Sequence, residues 1–363
     1  MSAYDYLFVL PTLKTSGGTL EVLRLARELR DRGKQVAIIS MWDTQSPIVD
    51  DSIPTMTLAS APKNKIFALF SLTKIFFNFR KKTLDITSVS TNVIFTHYAT
   101  YAFTALTSPS RRWFFVQGLE WNFSERPFIR SILQIFILTS YRRGRVLAAN
   151  RFLRASLEQR GVAVAATADI WADPIYAVEA AAVRDIDVTM MFRKGAPKRA
   201  DWGKDLLARL WADRPGLRVA IITPDEEFAP VAGLSGTFLL RPTREDIRRT
   251  YQRSRVFILF SDHEGFGLPP LEAMGSGCVP LCRDSGGIRA YMGLELEVNI
   301  LPLSAPPQAM AQRLYTLLDD EVEWSRLSVI ARRVFGQGLA RASDRLTGLE
   351  RCGFVEEQSA SCP

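Results

Sequence analysis

The sequence SDHEGFGLPPLEAMGSGCVPL, residues 261–281, decides the fold of this chain. It follows the apolar run Val256–Phe260, which we predict to be a strand, and it then opens a helix whose first turn contains Pro269 and Pro270. Proline is tolerated there because the amides of a first helical turn have no partner within the helix. Two glycines form the turn between strand and helix. A strand, a glycine turn and a helix in this order indicate one unit of a parallel α/β sheet.

The same alternation continues in both directions along the 363 residues. The predicted strands are short apolar runs without period-two alternation, as in sheets covered on both faces. These runs are Tyr6–Leu10, Val36–Ser40, Val93–Phe95, Trp113–Val116, Arg145–Ala149, Val188–Phe192, Arg218–Ile222, Thr237–Leu240, Val256–Leu259 and Val279–Leu281. Helical patterns lie between and after them, at Thr19–Arg32, Arg151–Arg160, Lys204–Asp213, Arg244–Arg253, Glu321–Val334 and Gly338–Arg351.

The series of strands restarts near residue 185, after a segment that contains Pro174 and an alanine-rich run. A chain of this length is expected to form two domains, since a domain has roughly 100–200 residues. We therefore predict an α/β protein with two Rossmann-like domains, residues 1–178 and 179–335, followed by a C-terminal helix, residues 336–363.

Composition excludes several classes of protein. Hydrophobic residues make up 47% and charged residues 23% of the chain, which is typical of a folded globular protein. The net charge of +8 favours anionic partners, but no long basic tail or zinc-finger spacing indicates nucleic acid. The four cysteines contain no CxxC pair, so we expect no disulfide framework. With neither a signal peptide pattern nor an apolar run of about 18 residues, we expect a cytoplasmic protein.

The stretch 261–281 also carries candidate binding groups. Glu264 lies in the glycine turn and Glu272 about one turn into the helix, so both carboxylates can accept hydrogen bonds from a polyhydroxylated ligand at the strand ends. Backbone amides around Gly265 and Gly267 can bind an anion. The alternative interpretation is that Glu272 is a helix-surface residue and that the glycines only make the turn.

This stretch resembles the nucleotide-sugar segment of glycosyltransferase family 4, retaining enzymes of the GT-B fold. The resemblance rests on two glutamates with seven residues between them, around G-F-G and running into E-A-M. It implies two domains whose parallel sheets face each other across a cleft, an N-terminal acceptor domain, a C-terminal donor domain, and a last helix that crosses back. It also implies that Glu264 contacts the donor sugar and Glu272 the ribose, with Gly265, Phe266, Gly267 and Leu268 in the donor site.

Two further segments resemble the family. Residues 11–40 are similar to its first loop and helix, in which Gly17 and Gly18 let the backbone approach the donor or the acceptor. The resemblance also implies an arginine and, five residues later, a lysine that grip the diphosphate, here Arg193 and Lys198. The glycines that usually adjoin them are absent. Three other cations compete for the role, namely Lys194, Arg199 and Lys204.

One position departs from the family. Gln117 stands where a histidine is common, so a role as general base fails there. The sequence VQ-x-x-E around Gln117 and Glu120 resembles rhamnosyltransferases of bacterial surface polysaccharides. His97, at the end of another predicted strand, is either a structural residue or a third contact to acceptor or sugar, together with Gln117 and Glu120.

The resemblance implies a metal-independent hexosyl transfer with retention and no cofactor. Asp185 and Asp187 form a D-x-D sequence, which could bind a metal ion. We interpret them instead as the polar edge of a strand.

A segment at residues 64–82 has a narrow polar stripe on an otherwise apolar, aromatic pattern that ends in Arg80, Lys81 and Lys82. Residues 128–145 have a similar character. Such a helix lies either on an anionic bilayer surface or in the core. A membrane face would bring the enzyme to the inner face of the cytoplasmic membrane.

The function predicted is transfer of a sugar from a nucleotide diphosphate donor to a hydroxyl of a glycan or lipid-linked glycan, in bacterial surface polysaccharide assembly. One alternative function is that of a non-catalytic nucleotide-sugar-binding or scaffold subunit of a membrane-associated assembly. Gln117 and the irregular Arg193–Lys198 loop, which depart from the family pattern, support this alternative. A nicotinamide-dependent oxidoreductase is a second rival, but PTLKTSGG stands where its G-x-G-x-x-G is expected.

Overall fold

A computed structural model describes residues 4–14, 16–44, 50–60, 92–177, 183–233 and 236–355. The chain divides into two compact units. The first consists of Met1–Ile170 together with Asp344–Pro363, and the second consists of Trp171–Ser343. The sequence predicts these divisions at residues 178 and 335, so the structure moves the first a little towards the N-terminus and the second towards the C-terminus.

The first unit is built on a parallel sheet. Among the described residues its seven strands have the order β3-β2-β1-β4-β5-β6-β7, and every neighbouring pair is parallel. The strands are β1 Tyr6–Thr12, β2 Val36–Trp42, β3 Thr55–Ala59, β4 Asn92–Phe95, β5 Arg112–Val116, β6 Arg145–Ala148 and β7 Ala166–Thr167. All residues of β4 and β5 are buried, because helices and turns cover both faces of the sheet.

Helices α1 Gly17–Asp31, α2 Pro127–Tyr141 and α3 Arg151–Glu158 pack on this sheet. The side chain of Ser16 caps α1 by accepting a hydrogen bond from the amide of Thr19, at 3.1 Å. The last helix that the structure describes, Arg345–Arg351, also belongs to the first unit. Its Arg345 is buried and donates to Glu28 of α1 at 2.6 Å, which ties the C-terminal segment to the helix that follows β1.

The second unit repeats the plan with six described strands in the order β10-β9-β8-β11-β12-β13, again all parallel. They are β8 Ile186–Met191, β9 Val219–Thr223, β10 Gly236–Leu240, β11 Ser254–Leu259, β12 Val279–Arg283 and β13 Ile300–Leu301. The described helices of this unit are α4 Ala200–Asp213, α5 Arg244–Arg253, α6 Leu268–Gly275, α7 Pro307–Asp319 and α8 Glu321–Ser343, and the helix Arg345–Arg351 of the first unit is numbered α9. Two Rossmann-like parallel α/β domains are thereby confirmed.

Two local predictions differ from the structure. The sequence analysis misses β3, β7 and β13, each of which is an outermost strand of its sheet. It also predicts a helix break between Val334 and Gly338, whereas α8 continues to Ser343. Gly338 does not end the helix but lets α8 pack closely against Trp171, because a Cβ at this position would overlap the Trp171 ring.

Candidate functional site

The loop between β11 and α6 has a conformation that its glycines make possible. Gly267 precedes α6 in the left-handed region, with φ 81°, and a Cβ there would lie 2.9 Å from Cγ2 of Ile288. The helix then begins with Leu268 and two prolines, as predicted. Pro269 and Pro270 have no N–H, so the amides presented at the carboxyl end of β11 are those of Gly267 and Leu268, where an anion can bind.

A second loop holds this one in place. The amide of Glu264 donates to the carbonyl of Ser285 at 2.9 Å, and the amide of Gly287 donates back to the carbonyl of Glu264 at 3.1 Å. The hydroxyl of Tyr291 donates to the carbonyl of Gly267 at 2.6 Å. These bonds fix the backbone on both sides of the Glu264 side chain, so the carboxylate is positioned before any ligand arrives.

Lys198 meets Glu264 in the second unit. The ammonium of Lys198 lies 2.7 Å from Oε1 of Glu264, and the two side chains are only 22% and 13% exposed. The structure thus brings together two of the three charged residues, Glu264, Arg193 and Lys198, for which the resemblance implies a role at the donor sugar and its diphosphate, although the two are far apart in sequence. A lysine and a carboxylate in direct contact can exchange partners when an anionic ligand with hydroxyl groups binds.

The cations that compete with Lys198 have other partners. Lys194 is exposed and lies 3.0 Å from Glu227, while Lys204 stacks over the ring of Phe228. Arg199 pairs with Asp201 and with Asp262, at 3.0 and 3.1 Å. The contact with Glu264 therefore distinguishes Lys198 from its neighbours.

Arg193 follows β8 and is half-buried, with no ion pair among the residues that the structure describes. The pKa of Tyr251 shows what lies near Arg193. Burial raises this pKa well above its ordinary value, the charge of Glu272 raises it further, and the charge of Arg193 lowers it. Arg193 and Glu272 thus both act on the buried ring of Tyr251. A half-buried guanidinium without an anionic partner is a group that an anionic ligand can satisfy.

Asp262 and Arg283 form a support that the sequence analysis misses. Arg283 is almost fully buried at the end of β12, and it donates to Asp262 at 2.6 Å and to the carbonyl of Phe260 at 3.2 Å. The amide of Asp262 donates to the carbonyl of Pro197, next to Lys198, at 2.8 Å. This network links the loop of Lys198 to the loop of Glu264. The sequence signal that could have revealed this network is a charged residue after each of two apolar strands, Asp262 after β11 and Arg283 at the end of β12.

Glu272 and Phe266 differ in what they offer to a ligand. Glu272 lies on α6, is half-buried, and its charge acts on Tyr176, Tyr251 and Tyr291. The Phe266 side chain is 5% exposed and packs edge-on against the rings of Trp171 and Tyr291. Phe266 is therefore core beneath the loop, and only its backbone can face a ligand.

The first unit has a pocket of about 280 Å³ at the carboxyl ends of its strands. Its walls include all three residues predicted to contact acceptor or sugar, namely His97, Gln117 and Glu120, together with Gly18 and Phe123. Gly17 is the first residue of α1. A Cβ on Gly18 would lie 3.1 Å from Oε1 of Gln117, so the glycine leaves room for that side chain.

Glu120 and His97 are neutral near pH 7. Burial raises the pKa of Glu120 to about 8, and its carboxyl accepts one hydrogen bond, from the amide of Tyr98 at 2.8 Å. Burial lowers the pKa of His97 to about 4. The Nδ1 of His97 accepts from the amide of Ala99, so the ring proton is on Nε2, 4.0 Å from Glu120. The pocket thus presents uncharged donors and acceptors.

Asp185 and Asp187 are each held by an arginine. Asp185 accepts two hydrogen bonds from Arg253, at 2.8 and 2.6 Å, and Asp187 accepts from Arg218 at 3.1 and 2.6 Å. The described residues contain no cluster of three or more histidine, cysteine or acidic side chains that could hold a metal ion.

The segment predicted as a membrane face, residues 64–82, lies outside the described residues. The related stretch at residues 128–145 is described and contributes most of α2. Among the helices that the structure describes, none is both long and apolar enough to cross a membrane.

Comparison with known proteins adds the following. Residues 234–334 match the family Glycosyl transferases group 1. The chain is 28% identical over 148 residues to the lipopolysaccharide core biosynthesis mannosyltransferase LpsB of Rhizobium meliloti (strain 1021), an alignment that covers 40% of this chain and 39% of that protein. Other curated relatives that it matches are covered over only 12% to 15% of their length.

Two solved structures are similar over nearly the whole chain. Sucrose-phosphate synthase (tll1590) from Thermosynechococcus elongatus has a TM-score of 0.74 and 15% identity, and the match covers 96% of this chain and 99% of that one. Anabaena Alr3699/HepE in complex with UDP and glucose has a TM-score of 0.69 and 15% identity, covering 95% of this chain and 98% of that one. At these identities the likeness concerns the fold, and the predicted GT-B class is confirmed.

Proposed function

We propose that this chain, which carries a glycosyl transferases group 1 domain, is a retaining glycosyltransferase that uses a nucleotide diphosphate sugar. The acceptor in this proposal is a hydroxyl of a glycan or of a lipid-linked glycan, in the assembly of bacterial surface polysaccharide. The observation that carries the proposal is the 2.7 Å contact between Lys198 and Glu264 on the loop that opens α6. Its support from a relative is the name of LpsB, a lipopolysaccharide core mannosyltransferase.

The second unit is the proposed donor domain. Lys198 and the unpaired Arg193 would bind the diphosphate, together with the amides of Gly265 to Leu268 at the start of α6. Glu264 would then accept a hydrogen bond from the donor sugar, and Glu272 would accept from the ribose hydroxyls. Positive groups at the diphosphate stabilise the charge that develops as it leaves, which is the largest electrostatic demand of such a transfer.

The proposed transfer breaks the bond between C1 of the sugar and the oxygen of the β-phosphate. The acceptor oxygen forms the new bond to C1 on the face that the diphosphate leaves, and its proton passes to a phosphate oxygen. The products are the glycosylated acceptor and the nucleoside diphosphate. No protein nucleophile enters this scheme, so Lys198, Arg193 and Glu264 act by binding and by electrostatic stabilisation.

The first unit is the proposed acceptor domain. Its pocket offers the neutral groups of His97, Gln117 and Glu120. Uncharged donors and acceptors suit the hydroxyl groups of a sugar better than they suit a carboxylate or a phosphate, whose charge would have to be buried without a counter-ion. We therefore assign to this pocket a hydroxyl-bearing sugar of the acceptor or of the donor.

Metal independence and location are also part of the proposal. Since Asp185 and Asp187 are already paired with arginines, the cations that balance the diphosphate are those of the protein. We propose a cytoplasmic enzyme that works at the inner face of the cytoplasmic membrane, where a lipid-linked acceptor is found.

A donor screen tests the proposal. Thermal shift with several nucleotide diphosphate sugars should reveal one or a few that stabilise the protein, by about 2.7 kcal/mol at a hundredfold excess over Kd. The same donors should then be turned over with release of nucleoside diphosphate in the presence of a glycan acceptor. Stabilisation without turnover on any acceptor would instead favour a nucleotide-sugar-binding subunit, and no stabilisation by any donor would contradict the assignment of the donor domain.

A further inference from the structure

Helix α2, residues Pro127–Tyr141, presents apolar side chains on both of its faces. Its inner face is anchored by Ile137 and Tyr141, which are buried, and the ring of Tyr141 packs against Phe114. Its outer face should be polar in an ordinary surface helix. The outer residues are instead large and apolar: Phe128, Ile132, Ile135 and Phe136 are 76%, 50%, 68% and 44% exposed.

These four side chains form one stripe. Ile132 lies four positions after Phe128, and Ile135 and Phe136 lie three and four positions after Ile132, which places all four on the same side of the helix. Ile129 and, just before the helix, Phe123 add further exposed apolar surface. Single exposed apolar residues are ordinary, but a contiguous group of this kind marks an interaction surface.

Arginines lie at both ends of the stripe. Arg126 precedes the helix, and Arg142 and Arg143 follow it; all three are exposed. The helix itself, PFIRSILQIFILTSY, contains no acidic residue. The exposed Glu125 adjoins Arg126, so the outer surface of α2 is apolar in the middle and has its clearest positive charge at the C-terminal end.

We propose that α2 docks this protein on the surface of an anionic lipid bilayer, with its aromatic and aliphatic stripe among the acyl chains and its arginines at the headgroups. A helix of 15 residues is about 22 Å long, too short for a hydrocarbon core of about 30 Å, so it lies in the plane of the surface. The inference deepens the proposed function, since it supplies the surface at which a lipid-linked acceptor would be met.

The charges favour lipid over a second copy of the chain. A symmetric dimer through α2 would pair the same patch on both subunits, so the net positive charge of the patch, three exposed arginines against Glu125, would face the same net charge on the partner. Anionic headgroups, in contrast, complement the net positive charge of the patch. Basic residues near such a surface contribute attraction that salt weakens.

The experiment is co-sedimentation of the full chain with vesicles of phosphatidylglycerol and phosphatidylcholine, compared with phosphatidylcholine alone, at low and high salt. The variant carries Phe128→Ser, Ile132→Ser, Ile135→Ser and Phe136→Ser, and these side chains are exposed enough that the fold should persist. We expect its partition onto anionic vesicles to fall at least tenfold. Arg126→Gln, Arg142→Gln and Arg143→Gln should each lower it by about fivefold at low salt and by less at high salt.

A matched control changes exposed apolar residues of the second unit. Leu294, Val298, Val322 and Val329 are 90%, 54%, 82% and 58% exposed, and their replacement by serine should leave vesicle binding unchanged. Binding of the α2 variant equal to that of the unaltered chain would overturn the proposal. So would a chain that ignores anionic vesicles at low salt, or a dimer that the α2 variant converts to monomer without any effect on vesicles.

Failure here is distinguishable from failure of the proposed function. Donor binding and turnover on a short soluble acceptor are measured without vesicles and should be the same for the α2 variant and the unaltered chain. A protein that binds vesicles through α2 but turns over no nucleotide sugar would keep this inference and contradict the enzymatic one.

Discussion

The two Rossmann-like units have the same kind of sheet but differ in the charges at the carboxyl ends of their strands. In the second unit, three ion pairs surround the loop after β11: Lys198 with Glu264, Arg199 with Asp262, and Arg283 with Asp262. In the first unit, the pocket encloses Glu120, whose nearest basic side chain among the described residues is a neutral histidine 4.0 Å away. The second unit thus keeps its side chains charged in ion pairs, whereas burial keeps the carboxyl of Glu120 in the first unit protonated and neutral.

This difference indicates two kinds of ligand. Paired ions close to solvent can be exchanged for those of a charged ligand at little cost, because each group keeps a partner throughout. A buried neutral carboxyl cannot accept a charged ligand without a large desolvation penalty. We therefore expect the second unit to respond to changes of charge and the first unit to changes of pH.

The largest effect should come from Lys198→Ala. It removes the cation that contacts Glu264 and that we assign to the diphosphate, and loss of one such stabilising group typically lowers kcat by about 10²–10³-fold. The control is Lys194→Ala, which removes an exposed neighbouring lysine that pairs with Glu227. Steady-state kinetics with the donor found by the screen measures both. Equal losses in the two variants would mean that the loop contributes only general positive charge.

The next largest effect concerns Glu272→Ala. If both ribose hydroxyls donate to this carboxylate, its loss costs about 1.5–3 kcal/mol, or roughly 10- to 150-fold in affinity. Calorimetry with the nucleoside diphosphate measures this without turnover. Glu297→Ala, at an exposed glutamate of the same unit that lies 3.4 Å from Arg289, should leave the affinity unchanged. An unaltered affinity in Glu272→Ala would return Glu272 to the interpretation as a helix-surface residue.

A smaller effect, specific to the first unit, is the pH response of Glu120. Its pKa of about 8 means that the neutral form prevails at pH 7. Transfer that needs the neutral carboxyl should therefore fall above pH 8, by about tenfold at pH 9. Glu120→Gln keeps the shape and the neutral state, so its activity should be flat over this range. A similar decline in both proteins would assign the pH dependence to another group.

The same residue predicts a change in the free energy of unfolding. The folded state keeps a proton on Glu120 up to about pH 8, whereas the ordinary pKa is 4.5. Because the unfolded chain releases that proton first, the unfolding free energy should fall as pH rises from 4.5 to 8, by up to about 1.4 kcal/mol per pH unit, and level off above. Urea unfolding of the original chain and of Glu120→Gln isolates this contribution, since other groups such as His97 contribute equally to both.

Periodicity finds the inner strands and misses three of the four outermost ones, β3, β7 and β13, for a physical reason. Central strands such as β4 and β5 are buried on both faces, so their residues form continuous apolar runs. The outermost strand β3, TMTLA, is half-exposed, and β7 and β13 have two residues each. Such strands exist because a neighbour pairs with them, and their own residues carry little signal.

The site shows the same limit. Lys198 and Glu264 could be nominated from two separate segments through a family resemblance, but their contact depends on how β8 and β11 are paired. The support from Asp262 and Arg283 could not be predicted, because it arises from the burial of an arginine at a neighbouring strand end. Glu120 could be named as a candidate, while its neutral state could not, since burial alone raises its pKa.

The smallest expected effect is that of a chelator, and it tests whether the charges of the second unit are sufficient by themselves. Asp185 and Asp187 are bound by Arg253 and Arg218, so a cation would have to displace both arginines to use these carboxylates. With Arg193 and Lys198 assigned to the diphosphate, turnover should be the same with and without EDTA. Asp185→Asn with Asp187→Asn should likewise retain activity, with at most a small loss of stability, because exposed ion pairs contribute about 0–1 kcal/mol each. Complete loss in EDTA that magnesium or manganese restores would contradict the assignment, and it would mean that the second unit completes its charge with a metal ion rather than with its own side chains.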